Sequence, residues 1–186
     1  MKVAILGYGK MGQIIEKIAL ERGHNILLKI NQNNIDELNI ENLKKADVVI
    51  DFSTPESAKK NIILSIDANK PIISGTTGWL NDYKEVEDYC TKNNGTFLYA
   101  SNFSLGVNLF FELNKNLAKL MNKHQQYQIN LTEIHHSEKL DSPSGTAISL
   151  AEQIISESDI KKKWTLNSKN SYEELKIDAQ RKGDIK

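Results

Sequence analysis

The chain has 186 residues, of which 39% are hydrophobic and 26% charged, and its 24 basic residues balance 24 acidic ones. This length can bury one large hydrophobic core or two small ones, and zero net charge argues against a nucleic-acid partner, because such binders carry a clustered basic excess. Since no apolar run reaches membrane-spanning length and a single cysteine cannot form an internal disulfide, we expect a cytoplasmic protein without a membrane partner.

The first thirty residues predict a strand, a glycine turn and a helix. An apolar run at residues 3–6 leads into Gly7-Tyr8-Gly9-Lys10-Met11-Gly12, and apolar residues then recur at helical spacing until Gly23. In such a turn the first glycine permits the bend, the second lets the backbone approach a pyrophosphate, and the third lets helix and strand pack closely. The pattern predicts a dinucleotide site, and the alternative is a glycine turn that only packs well.

The end of the second predicted strand leaves the cofactor type open. A dinucleotide fingerprint usually places Asp or Glu there to bind the ribose, but this chain has Asn31. No carboxylate then repels a 2′-phosphate, and Lys29 favours that phosphate if it points inward. The sequence is compatible with NADH and with NADPH.

Three further strands, at residues 48–52, 71–74 and 96–100, alternate with helical segments and predict an open parallel sheet. The loops at 75–79 and 101–104 follow two of these strands. Ligands bind at the carboxyl ends of strands in such sheets. For either loop alone, a simple connection between elements is as good an interpretation as a ligand-binding loop. Two such loops at successive strand ends favour a shared cofactor crevice.

The most informative stretch chemically is residues 133–147. Alternation from Tyr127 to His136 predicts a strand that turns the rings of His135 and His136 to opposite sides. An imidazole has the side-chain pKa closest to neutrality, so His135 can donate a proton at physiological pH. A pair of histidines in an ordinary surface turn is the alternative. We expect no metal site, because a structural zinc needs about four ligands and Cys90 lies far off in the sequence.

The same stretch predicts an anion-binding site. Lys139 adds a positive charge, and apolar residues after Pro143 recur at helical spacing. That spacing places the amides of Gly145 and Thr146 at a helix N-terminus, where unpaired N–H groups attract carboxylate or phosphate. Ordinary helix-start chemistry is the alternative interpretation of the serines and glycine here.

We place a domain boundary near Ser104, which gives domains at residues 1–104 and 105–186. A helix with apolar residues from Leu109 to Leu120 opens the second domain. Beyond Ser158 the signals fade. Residues 164–166 predict a brief strand or a turn, residues 167–172 a polar loop, and residues 177–182 a strand without a sequel.

Five segments carry a resemblance to a known family: residues 7–12, 51–56 (Asp-Phe-Ser-Thr-Pro-Glu), 75–78, 102–108 and 133–147. Together they resemble the 4-hydroxy-tetrahydrodipicolinate reductases, also called dihydrodipicolinate reductases, of bacterial diaminopimelate and lysine synthesis. The resemblance implies an α/β protein with an N-terminal Rossmann-type parallel sheet that holds NADH or NADPH. It also implies a smaller α+β domain whose mixed sheet binds a small cyclic dicarboxylate and pairs subunits into a tetramer.

The resemblance also implies roles for individual residues. His135 is implied to be the catalytic acid and Lys139 the second catalytic group in reduction of a ring C=C bond, with His136, Gly145 and Thr146 binding substrate. The implied cofactor contacts are Gly7, Tyr8, Gly9, Lys10, Met11, Gly12, Gly75, Thr76, Thr77, Ala100, Ser101, Asn102 and Phe103.

The chain departs from this family in two respects. Family members usually carry an acid near position 31, and they continue past the position of Lys186 into further strands and a final helix. We therefore expect an unpaired strand edge and either a fragment or a damaged enzyme. Two other functions stay open: a nucleotide-binding remnant without catalysis, and another small-acid NAD(P) dehydrogenase.

Overall fold

The computed structural model describes residues 1–139, 142–166 and 171–183. The chain divides into two compact units, Met1–Asn102 and Phe103–Lys186. Within the described part of the chain, no helix combines the length and the apolar character needed to cross a membrane.

The first unit is built on a five-stranded sheet in which every pair of neighbouring strands is parallel, as the sequence predicts. Its strands lie in the order β2-β1-β3-β4-β5. They are β1 (Lys2–Leu6), β2 (Asn25–Ile30), β3 (Val48–Asp51), β4 (Ile72–Ser74) and β5 (Phe97–Tyr99). The strand order reverses direction beside β1, so the carboxyl ends of β1 and β3 flank the crevice where doubly wound sheets bind ligands.

Four α-helices connect these strands: α1 (Lys10–Glu21), α2 (Ile40–Leu43), α3 (Pro55–Asp67) and α4 (Tyr83–Lys92). Short 3₁₀ turns occupy Gln32–Glu37 and Leu80–Asp82. Helix α3 starts at a strong local signal, since Thr54 and Ser57 form a capping box and Pro55 takes the first helical position. The core between sheet and helices includes the fully buried side chains of Ile5, Leu6, Leu43, Val49, Ile62, Ile72 and Val86.

Helix α1 forms where its apolar spacing predicts it, but most of that apolar face is not buried. Gly12 and Ala19 are buried. Met11, Ile14 and Ile18 are 46%, 51% and 41% exposed. The helix approaches the sheet through its smallest residues, which leaves the larger side chains beside the contact.

The described residues of the second unit form a three-stranded sheet and two helices. Strands β6 (Leu131–His135), β7 (Lys163–Leu166) and β8 (Glu174–Arg181) lie in the order β6-β8-β7, and both pairs are parallel. Helices α5 (Leu105–Met121) and α6 (Gly145–Ser156) pack against each other. The core combines small residues of the helices with branched residues of β8: Ala118, Ala147, Ala151, Ile154, Leu175 and Ile177.

Three details of this unit differ from expectation. Strand β6 begins at Leu131, because Tyr127 is instead in a turn in which its amide donates to the His124 carbonyl oxygen at 3.0 Å. The segment predicted as a strand without a sequel forms the end of the central strand β8, whose Leu175 and Ile177 are fully buried. The described strands pair in parallel, whereas the resemblance implies a mixed sheet. Most of the predicted polar loop, at 167–170, lies outside the described residues.

Candidate active site

The glycine turn of the first unit has the geometry of a pyrophosphate cradle. The amides of Gly7 and Tyr8 both donate to the carbonyl oxygen of Ile30, at 3.0 and 2.8 Å, which fixes the turn to the end of β2. Gly9 then caps α1, whose first residues are Lys10, Met11 and Gly12. The first amides of a helix have no acceptor within that helix and carry its partial positive charge, so they are suited to bind phosphate.

A methyl group added at each glycine shows what the turn requires. At Gly7, where φ is +87°, a Cβ atom would lie 2.1 Å from the Phe52 carbonyl oxygen. At Gly12 it would lie 2.6 Å from the Gly7 carbonyl oxygen, so both glycines allow protein segments to pack closely. At Gly9 a Cβ would meet no described atom within 4 Å, so this backbone faces open space. Close packing at Gly7 and Gly12 and open space at Gly9 are the features that a dinucleotide-binding turn requires.

A cavity of about 310 Å³ adjoins the turn at the carboxyl ends of β1, β2 and β3. Its lining includes Gly7, Asn31, Ser53, Thr54 and Ser57. Hydroxyl and amide groups thus line part of the space next to the turn, apolar residues such as Ile35 and Leu38 line the rest, and none of the lining residues is acidic. The side-chain Oδ1 atom of Asn31 accepts from the Asn33 backbone amide at 2.8 Å and so caps the following 3₁₀ turn.

Lys29 does not line this cavity. Its Nζ lies 3.1 Å from Glu16 Oε1 and 5.0 Å from the centre of the Tyr8 ring, and the Tyr8 hydroxyl also donates to Glu16. The hydrogen bond from Tyr8 is the main reason that the pKa of Glu16 is lowered, and the hydrogen bond to Glu16 raises the pKa of Lys29. The inward orientation that would favour a 2′-phosphate is therefore absent for Lys29.

Sequence reasoning missed the role of Asp51, a fully buried carboxylate at the end of β3. Four described side chains donate to it: Ser53 Oγ at 2.6 Å, Ser74 Oγ and Thr76 Oγ1 both at 2.8 Å, and Asn61 Nδ2 at 2.9 Å. Asp51 thus ties the loops after β3 and β4 together. The sequence does contain a signal for this role, because Asp51 ends an apolar strand, and burying a carboxylate there is costly unless it is hydrogen-bonded.

The second predicted cofactor loop is held by this carboxylate. Thr76 is 5% exposed, and its hydroxyl accepts from the Ser53 amide at 2.8 Å while it donates to Asp51. Gly75 packs so closely on the Phe52 ring that an added Cβ would lie 2.3 Å from it, whereas Thr77 is exposed. The third predicted group, Ala100, Ser101, Asn102 and Phe103, follows β5, and the Ala100 amide donates to the Ser74 carbonyl oxygen at 3.2 Å.

In the second unit, His135 ends strand β6 and lies close to a buried acid. Its Nδ1 atom is 3.6 Å from Glu133 Oε2, and the Glu133 side chain is 8% exposed. Nδ1 has no hydrogen-bond partner among the described residues. Since residues two apart on a strand share a face, β6 presents the imidazole and the carboxylate together.

His136 and Lys139 lie in the turn that follows β6. The Lys139 amide donates to the His136 carbonyl oxygen at 3.2 Å, so the turn folds back on itself. The Lys139 carbonyl oxygen accepts from Arg181 Nε at 3.3 Å. The next two residues of the stretch, Leu140 and Asp141, lie outside the described residues.

Helix α6 begins at Gly145, as its sequence predicts. Ser144 caps it by accepting from the Ala147 amide at 3.2 Å, and Gly145 and Thr146 at the helix start are exposed. The Ser144 amide donates to both oxygens of Glu133, at 3.0 and 3.2 Å. The predicted proton donor, His135, and the predicted anion-binding start of α6 therefore both lie against the carboxylate of Glu133. The sequence did not indicate this role for Glu133. Among the described residues, no group of three or more His, Cys, Asp or Glu residues is arranged to hold a metal ion.

The matching family models and the relatives with the most similar sequences name the same family. The model of the dihydrodipicolinate reductase N-terminus matches residues 1–103, and that of the C-terminus matches residues 106–186. A 4-hydroxy-tetrahydrodipicolinate reductase of Christiangramia forsetii is 46% identical over 185 residues, which are 100% of this chain and 76% of that protein. One of Rickettsia rickettsii is 36% identical over 95% of this chain and 73% of its own length.

A solved structure gives the same result. Dihydrodipicolinate reductase from Paenisporosarcina sp. TG-14, with dipicolinate bound, matches with a TM-score of 0.72 and 25% identity. The match covers 98% of this chain and 79% of that one. The family predicted from the sequence motifs is confirmed: this chain belongs to the dihydrodipicolinate reductase family.

Proposed function

We propose that this chain reduces 4-hydroxy-tetrahydrodipicolinate to tetrahydrodipicolinate in the diaminopimelate route to lysine. Membership of the family makes it an NAD(P)H-dependent oxidoreductase. The observation that carries the proposal is the arrangement in the second unit, where one carboxylate contacts both His135 and the start of α6. A proton donor is thereby held close to a group of anion-binding amides.

The first unit is proposed to hold NADH or NADPH. Its glycine turn and the start of α1 suit the pyrophosphate, and the adjoining cavity suits the adenosine half. The loops at Gly75–Thr77 and Ala100–Phe103 complete the proposed cofactor contacts. Bound NAD(P)H supplies the hydride for the reduction.

The second unit is proposed to hold the substrate and to deliver the proton. A cyclic dicarboxylate presents negative oxygens, and the amides of Gly145 and Thr146 with His136 suit one carboxylate group. Loss of the 4-hydroxyl group as water from 4-hydroxy-tetrahydrodipicolinate leaves a conjugated ring. When hydride reaches one carbon of that ring, negative charge develops on its neighbour. His135 protonates that carbon, and the Lys139 ammonium group stabilises the developing charge.

Two further statements rest on the family alone. The proposed assembly is a homo-oligomer, a tetramer by resemblance, and size-exclusion chromatography with light scattering measures it. The proposed site of action is the cytoplasm, where a biosynthetic reductase meets its nicotinamide pool.

Parallel measurement of cofactor binding and turnover tests the main proposal. We expect the chain to bind NADPH and to oxidise it only when 4-hydroxy-tetrahydrodipicolinate is present. Pyridine-2,6-dicarboxylate should compete with the substrate, because only a dicarboxylate site is blocked by it. Binding without oxidation would identify a nucleotide-binding remnant, and oxidation insensitive to the inhibitor would identify a different small-acid dehydrogenase.

A further inference from the structure

We infer that Glu133 is the positioning residue of the His135 site, holding the imidazole, the start of α6 and the Lys139 turn in one arrangement. This inference rests on the proposed function, because positioning His135 matters to the reaction only if His135 donates the proton. Glu133 itself is not placed in contact with substrate.

The first contact joins Glu133 to the anion-binding helix start. Both carboxylate oxygens lie within hydrogen-bond distance of the Ser144 amide, at 3.0 and 3.2 Å, one residue before α6 begins. A negative charge at a helix N-terminus is stabilised by the helix dipole. The side chain is also 8% exposed, so little water competes for it. The position of Gly145 and Thr146 relative to β6 is therefore set by Glu133.

The second contact orients the imidazole. Glu133 Oε2 is 3.6 Å from His135 Nδ1, a buried ring nitrogen without another partner among the described residues. A carboxylate beside one ring nitrogen favours a proton on that nitrogen and fixes which nitrogen is left for chemistry. Nδ1 thus keeps its proton facing Glu133, and Nε2 is the atom that donates to substrate. When both nitrogens are protonated, Glu133 supplies the counter-charge.

The third contact runs through Arg181. Strands β6 and β8 place His135 and Arg181 in register, and Arg181 Nη1 lies 3.5 Å from Glu133 Oε1. The same guanidinium donates from Nε to the Lys139 carbonyl oxygen at 3.3 Å. Arg181 therefore compensates part of the buried charge of Glu133 and links it to the backbone of the residue proposed to stabilise developing charge.

A structural ion pair is the competing explanation, and it predicts different kinetics. If Glu133 only stabilised the fold, Glu133→Gln would lower the amount of active enzyme without changing the proton-transfer step. If it positions His135, the substitution keeps the shape and an acceptor oxygen for Ser144 but removes the charge beside Nδ1. Proton donation then slows, and the solvent isotope effect on kcat rises.

The test compares Glu133→Gln with Glu138→Gln, a substitution of an exposed acid in the turn that follows β6. We expect kcat of Glu133→Gln to fall roughly 10- to 100-fold with a larger solvent isotope effect, and KM for NADPH to stay within about twofold. Glu138→Gln should match the wild type in all three quantities. An unchanged kcat, or a lower kcat with an unchanged isotope effect, would overturn the inference while wild-type turnover kept the proposed function intact.

A second measurement keeps Glu133 unchanged and covers the case in which Glu133→Gln does not fold. Nitrogen NMR of the wild-type protein with labelled histidine reports which ring nitrogen of neutral His135 carries the proton, with assignment by comparison with His135→Gln. We expect Nδ1–H. The Nε2–H tautomer would contradict the positioning role even if the enzyme turns over, and absence of turnover in the wild type would instead reject the proposed function.

Discussion

Thr76 donates from its hydroxyl to the buried carboxylate of Asp51 at 2.8 Å, and this hydrogen bond joins the loop after β4 to the end of β3. The same carboxylate also accepts from Ser53, Asn61 and Ser74. A charged acceptor that satisfies several buried donors is expensive to remove, because each donor then lacks a partner. The loop proposed to contact the cofactor is thus part of a network inside the first unit.

Replacing Asp51 tests this network. We expect Asp51→Ala to lower the free energy of unfolding by about 3 kcal/mol, since buried donors of Ser74 and Thr76 lose a charged acceptor. Urea unfolding measures this change in free energy, and titration with NADPH should show that the variant binds the cofactor more weakly. Asp88→Asn, an exposed acid paired with Lys84 on α4, is the control and should change stability by less than about 0.5 kcal/mol. Equal stability of the two variants would exclude the network as a structural element.

Gly9 separates cofactor binding from folding. Because an added Cβ meets no described atom within 4 Å, Gly9→Ala should fold with wild-type stability. The methyl group should nevertheless obstruct the approach of a pyrophosphate and raise the Kd for NADPH by roughly tenfold, or about 1.4 kcal/mol. Fluorescence titration measures the Kd, with Gly106→Ala in α5 as the matched variant. Wild-type affinity in Gly9→Ala would place the pyrophosphate elsewhere.

We expect Asn31 to be the residue that allows both NADH and NADPH to bind. The wild type is expected to use NADH and NADPH, because no lining residue of the cavity is acidic. Asn31→Asp keeps the oxygen that accepts from the Asn33 amide and adds a negative charge. It should lower kcat/KM for NADPH by about tenfold or more through repulsion of the 2′-phosphate, with less effect on NADH.

Asn39→Asp is a suitable comparison for this substitution. Asn39 caps α2 in the same manner, by accepting from the Asn42 amide at 2.9 Å, but it does not line the cavity. Its substitution should leave the ratio of the two kcat/KM values unchanged. A similar change of that ratio in both variants would indicate a general charge effect rather than a contact of Asn31.

Ser144 links helix stability to substrate binding. Ser144→Ala removes the cap that accepts from the Ala147 amide, which should cost about 1 kcal/mol of unfolding free energy. Fraying of the first turn should also raise KM for the substrate, because the amides of Gly145 and Thr146 lose their fixed direction. Ser156→Ala at the other end of α6 is the control. A substrate KM equal in both variants would argue against binding at the helix start.

Local signals made much of this fold predictable. The glycine turn and the capping box before α3 are each specified by neighbouring residues, so α1 and α3 form where their patterns predict them. Alternation predicted β6 as well, but the strand begins at Leu131 and not at Tyr127. Burial on α1 was less predictable, since Ile14 is 51% exposed although it belongs to the apolar face. Periodicity predicts a helix but does not indicate which part of its face the sheet covers.

The remaining features depend on contacts that are distant in sequence. Asp51 meets Thr76 across 25 positions, and Arg181 meets Lys139 across 42. Strand β8 looked like an isolated segment because its pairing partners, β6 and β7, precede it in the sequence and flank it only after folding. Local patterns do not contain such pairings, which is why the acids at 51 and 133 had no role assigned from the sequence.

Substrate-dependent oxidation of NADPH by the wild type and by His135→Gln tests the central claim most directly. The account predicts turnover with 4-hydroxy-tetrahydrodipicolinate in the wild type. In His135→Gln it predicts a kcat lower by roughly 10²- to 10⁴-fold with NADPH affinity retained, because the general acid is lost. A His135→Gln protein that turns over as fast as the wild type would contradict it.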